Sequence, residues 1–278
     1  MLLALCGWFP VLEAVAKADE ETSHDVTKDV ANHAAAGAGS SFAVQTFPGG
    51  PSAEDVGAHC EALRRKWHAK WLVGQDCAQW QPPCEIVVHR HRSSYQQAVG
   101  RAGAATSGSS LVRRTQEQQV SRRIDLLVAA DNVLPALPHE LVHVILADIF
   151  PDGFPPLWVD EGLAMLSDTS AKQNRHWRDC HHAVNVGTAL PLRELLHLDR
   201  PPSPAQFPAV YGQSLSLARF FAQRGQPEQM LAFVHHARRA GYVEALKEIY
   251  DLDGFHELET AWRRFVRAEA EASRVSLR

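Results

Sequence analysis

Apolar residues recur along this chain with two different periods. Val56, Cys60, Leu63, Trp67 and Trp71 follow one another at steps of three and four, which predicts an amphipathic helix over 52–72 with both tryptophans in the core. Ser41 to Phe47 reads as a first strand closed by Pro48-Gly49-Gly50, and Cys84 to His89 and Ile124 to Ala129 read as further strands. Gly100 to Ser110 is a loop of small residues, after which Leu111-Val112 begins a strand. Beyond Pro138 the spacing is helical. It is clearest over 213–223, 228–237 and 242–250, and at Phe255, Leu258, Trp262, Phe265 and Val266, with Pro201, Pro202 and Pro204 interrupting. The pattern implies an α+β fold: a small mixed sheet packed on the helix that opens at Pro138, then a mainly helical C-terminal half.

That helix carries His139-Glu140-Leu141-Val142-His143. Imidazoles four residues apart lie about 40° apart around a helix and roughly one turn apart along it, so they can hold one metal ion from the same side. Glu140 is about 100° further round, within reach of a water on that ion. Leu141, Val142, Ile145, Leu146 and Ile149 take the opposite arc, leaving His139, Glu140 and His143 to face a cleft. Pro138 suits the start of the helix and Pro151 its stop. An ordinary amphipathic helix would also put His and Glu on its wet face.

A two-histidine site needs a third protein ligand, with the fourth position left for water. In Leu157-Trp158-Val159-Asp160-Glu161-Gly162-Leu163-Ala164, read as a helix start, Glu161 shares its face with Leu157, Trp158, Ala164 and Met165, while Asp160 points about 100° away. A carboxylate on an apolar face needs a compensating cation, which selects Glu161. The plainer alternative is a glutamate placed in a first turn by the helix dipole. His176, His181 and His182 sit in a polar, Arg-rich stretch and read as surface residues.

HELVH followed by WVDEGLA resembles the gluzincin metallopeptidases, specifically the peptidase MA-like group, over roughly residues 84–270. The resemblance implies a zincin-like fold, Zn²⁺ held by His139, His143 and Glu161, and Glu140 as general base. It also implies that Tyr211, in Tyr211-Gly212-Gln213-Ser214, hydrogen-bonds the oxyanion; read from its position alone, Tyr211 is equally a core aromatic at a helix start. By the same analogy an edge strand within 118–130 borders the cleft and pairs with an extended peptide. The chain also departs from the pattern. Seventeen residues lie between His143 and Glu161, one fewer than is usual in the aminopeptidase branch. There is no G-A-M-E-N-like motif upstream, which points to an endopeptidase. Met165 replaces the aspartate that thermolysin-like members use to orient a histidine, leaving Asp148 and Asp168 as candidates for that role.

Composition narrows the setting. The 278 residues, 45% hydrophobic and 22% charged, suffice for a substantial core. A net charge of −4 gives no basic excess for nucleic acid, and Arg64-Arg65-Lys66 and Arg122-Arg123 read as solvated faces. Residues 1–18 read as a possible signal peptide, with Ala16-Lys17-Ala18 as cleavage site and no convincing membrane span; 19–40 read as a flexible linker, and 41–278 as the peptidase domain. Export would make the protein extracytoplasmic; otherwise it is cytoplasmic. Cys60, Cys77, Cys84 and Cys180 would then allow two disulfides, or stay buried as thiols. The partner expected is a peptide or protein substrate. The alternative is a non-catalytic extracytoplasmic binding domain that retains the zincin scaffold.

Overall fold

The computed structural model describes residues 4–5, 33–34, 40–115, 120–200 and 203–275. The expected leader over 1–18 and linker over 19–40 otherwise lie outside the described residues. The strands are β1 (Ala4–Leu5), β2 (His33–Ala34), β3 (Phe42–Gln45), β4 (Cys84–His89), β5 (Gly108–Arg114) and β6 (Val120–Leu127). The helices are α1 (Ala53–Trp71), α2 (Arg92–Val99), α3 (Leu137–Ile149), α4 (Leu157–Leu166), α5 (Ser170–Val186), α6 (Leu192–Leu196), α7 (Phe207–Arg224), α8 (Pro227–Ala240), α9 (Tyr242–Tyr250) and α10 (Phe255–Val275). The class is α+β, as the two periods imply. The chain divides into two compact units, residues 1–65 with 77–144 and residues 66–76 with 145–278.

The first unit carries one mixed sheet of order β1-β5-β6-β4-β3-β2, four of whose strands exceed two residues. β3, β4 and β6 run parallel, and β5 runs antiparallel to β6. This corrects the expectation for 118–130. β6 is an interior strand with β4 on one side and β5 on the other, so its backbone groups are already paired. The strand outside it is β5, which begins at Gly108 inside the expected loop and, among the described residues, meets β1 at Ser110 and Leu111.

Alternation along these strands sorts the sheet into two faces. Across one face Val44, Ile86 and Ile124 stand in register, all buried, and the row continues to Ser110 on β5, which pairs with Leu5 on β1. The opposite face carries Val87, Asp125 and Ser109 in register.

Two arginines expected at the surface are buried instead. Arg64 and Arg122 are 3% and 8% exposed, with guanidinium carbons 4.3 and 5.0 Å from the Trp80 ring. Arg64 donates to Ser41 Oγ at 3.3 Å and to the Ala78 carbonyl. A planar guanidinium with a weak hydration shell tolerates such stacking. Arg65, beside it, is exposed.

The second unit is helical. Trp67 and Trp71 are buried and stacked, as their spacing predicts. α4 packs on α7, and α7 also packs on α5 and α8. Trp158, Phe221, Phe233 and Tyr250 form an aromatic core with ring centroids 4.8–6.4 Å apart. Trp158 Nε1 donates to Tyr242 Oη at 3.3 Å, whereas the Tyr250 hydroxyl is buried with no hydrogen-bond partner among the described residues; elsewhere in this unit Trp262 Nε1 donates to Ser216 Oγ at 2.9 Å. Among the described residues no helix is long and apolar enough to cross a membrane. The structure holds Cys60, Cys77, Cys84 and Cys180 as thiols, so the disulfide alternative is not realised. Burial pushes the Cys60 thiol up to about 12, removing thiolate character.

Candidate metal centre

α3 forms because a strongly apolar run with no β-breaking turn follows a proline in the first turn, where its missing N–H costs nothing. The helix is more deeply buried than an amphipathic wheel predicts. His143 is fully buried and Glu140 is 4% exposed; His139 is half-buried. The expected open face is therefore a mostly covered one. The His139 and His143 rings lie 4.9 Å apart, centroid to centroid, as the four-residue spacing requires.

Glu161 completes the group. His139, His143 and Glu161 each offer one ligand atom, and these atoms all lie within 4.8 Å of one another. Donors on a tetrahedral ion at about 2.1 Å sit roughly 3.4 Å apart, so modest side-chain adjustment closes the set on one cation. Two imidazole nitrogens and a carboxylate oxygen, borne on buried helices, are a donor set that suits a divalent transition metal.

The group that could hold a metal ion includes Glu161 and not Asp160, but burial alone does not separate the two. Glu161 is 3% exposed and Asp160 is 6% exposed, because eight consecutive residues of α4 are buried on every side. Gly162 explains part of this. A Cβ there would stand 2.6 Å from the Ser214 carbonyl oxygen and 2.9 Å from Ala218 Cβ, so only glycine lets α4 approach α7 so closely.

Glu140 does not belong to the ligand set. It accepts a hydrogen bond from Ser110 Oγ at 2.9 Å, between atoms that are both buried. That contact was not legible in the spacing, although Ser110 alternates with buried Val112 on β5. Tyr211 lies in the first turns of α7, half-buried, with its ring 6.2 Å from His176 and 6.3 Å from Phe207. His182 is exposed as expected, whereas His176 and His181 are half-buried on α5. Asp168 is buried and paired with Lys172 Nζ at 3.1 Å; Asp148 is half-buried at the end of α3.

A second polar cluster occupies the opposite face of the sheet. Asp125 receives Arg123 Nε and Nη2 at 2.7 and 2.8 Å, and His89 Nε2 lies 2.7 Å from the same carboxylate. Burial works to raise the Asp125 carboxyl, but the bonds from His89 and Arg123 outweigh it and hold the group below the usual range. Tyr95, against His89, is pushed up to about 12 by burial, partly offset by its bond to Thr106 and reinforced by the charge of Glu140.

No family model matches the chain, and no curated protein matches it. The function has to be read from the side chains themselves.

Proposed function

We propose that this chain is a zinc-dependent peptidase of the gluzincin type that cleaves within peptide or protein chains. The observation that carries the reading is the convergence of His139, His143 and Glu161 on one point with the buried carboxylate of Glu140 on the same helix turn. The paired motifs and the α+β class support it as well.

His139 and His143 would bind through ring nitrogens and Glu161 through a carboxylate oxygen. Zinc(II) held there would supply Lewis acidity, acidifying a water and polarising a peptide carbonyl. Glu140 accepts the proton of the attacking water on a carboxylate oxygen and delivers it to the amine as the C–N bond breaks. Burial of Glu140 and His143 keeps bulk water from competing for that proton. By resemblance, Tyr211 donates its hydroxyl to the developing oxyanion, an interaction whose loss commonly lowers the rate by about 10²–10³.

The test is metal content by plasma mass spectrometry on the full chain and on Glu161→Ala, followed by a screen with internally quenched peptides. One zinc per chain in the parent, sharply reduced in the variant, with cleavage lost in Glu140→Gln, is the expected result. A folded parent that takes up no zinc when supplied with it would sink the reading.

A further inference from the structure

We propose that Ser110 is a positioning residue that holds the Glu140 carboxylate in one orientation for proton transfer, a role that rests on the peptidase reading above. The sheet itself brings Ser110 to this place. Inward positions on β5 alternate as Gly108, Ser110 and Val112, all buried, and Ser110 stands in register with Ile124, which is followed across the sheet by Ile86 and Val44. Three branched aliphatic residues in register are thus followed by a hydroxyl. A buried hydroxyl is unfavourable unless it is hydrogen-bonded. Here Oγ donates to Glu140 Oε2 at 2.9 Å.

The other carboxylate oxygen is shaped by Gly108. A Cβ at that position would lie 2.8 Å from Glu140 Oε1, 2.7 Å from its Cγ and 2.6 Å from Ala136 Cβ. The β5 backbone therefore runs directly against the side chain of Glu140, and a glycine is what admits it. One strand acts on both oxygens, tethering Oε2 through Ser110 and leaving room for Oε1 at Gly108. The terminal torsion of a glutamate is broad, so a tether on one oxygen fixes where the other points. A hydroxyl does this without a formal charge, so Glu140 is oriented without being neutralised by that donor.

The experiment compares Ser110→Thr with Ser110→Val in the full chain, since these have the same shape and differ in the hydroxyl. Ser110→Ala is carried alongside. Three readouts are taken: zinc content, kcat and KM on an internally quenched peptide, and the visible absorption of the cobalt(II)-loaded proteins. Zinc content should stay near one per chain throughout. Ser110→Val and Ser110→Ala should lower kcat about 10–100-fold with KM changed less than about threefold, and Ser110→Thr should recover most of the rate. The cobalt band of Ser110→Val should shift relative to the parent, and that of Ser110→Thr should not. If the valine and threonine variants share the parent's kcat and band, the positioning role is overturned. If Ser110→Thr fails to fold, parent-like kcat and an unshifted band in Ser110→Ala overturn it equally. A parent that binds cobalt yet cleaves no peptide defeats the peptidase reading, and the cobalt bands then decide the role of Ser110 alone.

Discussion

On one face of the sheet the Asp125 carboxylate is gripped by the Arg123 guanidinium and by the His89 imidazole; on the other, the Glu140 carboxylate is met by the Ser110 hydroxyl. Both carboxylates are buried, and both are reached by strands of the same sheet. The donors named here differ in charge. A guanidinium in bidentate contact satisfies the charge within the fold and favours the ionised form, which suits a structural cluster. A neutral hydroxyl orients a carboxylate without cancelling its charge, which suits a group that has to exchange a proton. Two faces of one sheet thus separate a group that stabilises from a group proposed to act.

Exchanging each carboxylate for its amide tests that separation most directly. Glu140→Gln should lower turnover by about 10²–10⁴ in a quenched-peptide assay while zinc content stays at the parent's level. A fully active Glu140→Gln would break the comparison outright. Gly108→Ala comes next. Its new Cβ must displace Ala136 or Glu140, so urea melts should show a loss of about 1–3 kcal/mol, and kcat should fall with it. Asp125→Asn should cost about 1–2 kcal/mol in the same melts. That is less than the roughly 3–5 kcal/mol for breaking a fully buried pair, because the Arg123 side chain is 37% exposed and solvent screens it. Its kcat per folded molecule should match the parent's, and a large loss of rate would show that the two faces are not independent.

The smallest effect is one of pH. The folded-state pKa of Asp125 is depressed below its ordinary value of 3.8, so its contribution is present above that value and is lost as pH falls through the lower folded pKa. The difference in urea midpoint between parent and Asp125→Asn should therefore be constant near pH 5 and shrink below about pH 3.8. A difference that persisted to pH 2 would mean that packing, and not charge, carries the cluster.

Periodicity located α1, α8 and α9 closely because their buried faces are continuous, whereas α7 begins at Phe207, ahead of the predicted 213–223, and α10 runs past Val266 to Val275. α2 escaped because only Tyr95 of its eight residues is buried, so no stripe exists to read. The burial of Arg64 and Arg122 was written in the pattern and overridden by their charge. Arg64 stands four residues after Cys60 on the α1 stripe, and Arg122 alternates with Ile124 and Leu126 on β6. The error over 118–130 has a different origin. An interior strand and an edge strand can carry the same alternation, and which one β6 becomes depends on where β5 folds back.

The HELVH spacing and the glutamate of WVDEGLA are local facts, and helix geometry alone carries His139 and His143 to one side of α3. Bringing Glu161 to within 4.8 Å of them is a tertiary fact, as is the burial of Asp160 beside it. The same holds for Ser110 and Gly108, which acquire meaning from a register set by β6 and by the helix that packs against them. Period and propensity act over a few residues, so they are readable along the chain. Strand order, the close approach of a backbone to a carboxylate and the partners of buried charge depend on residues tens of positions apart, and packing decides them.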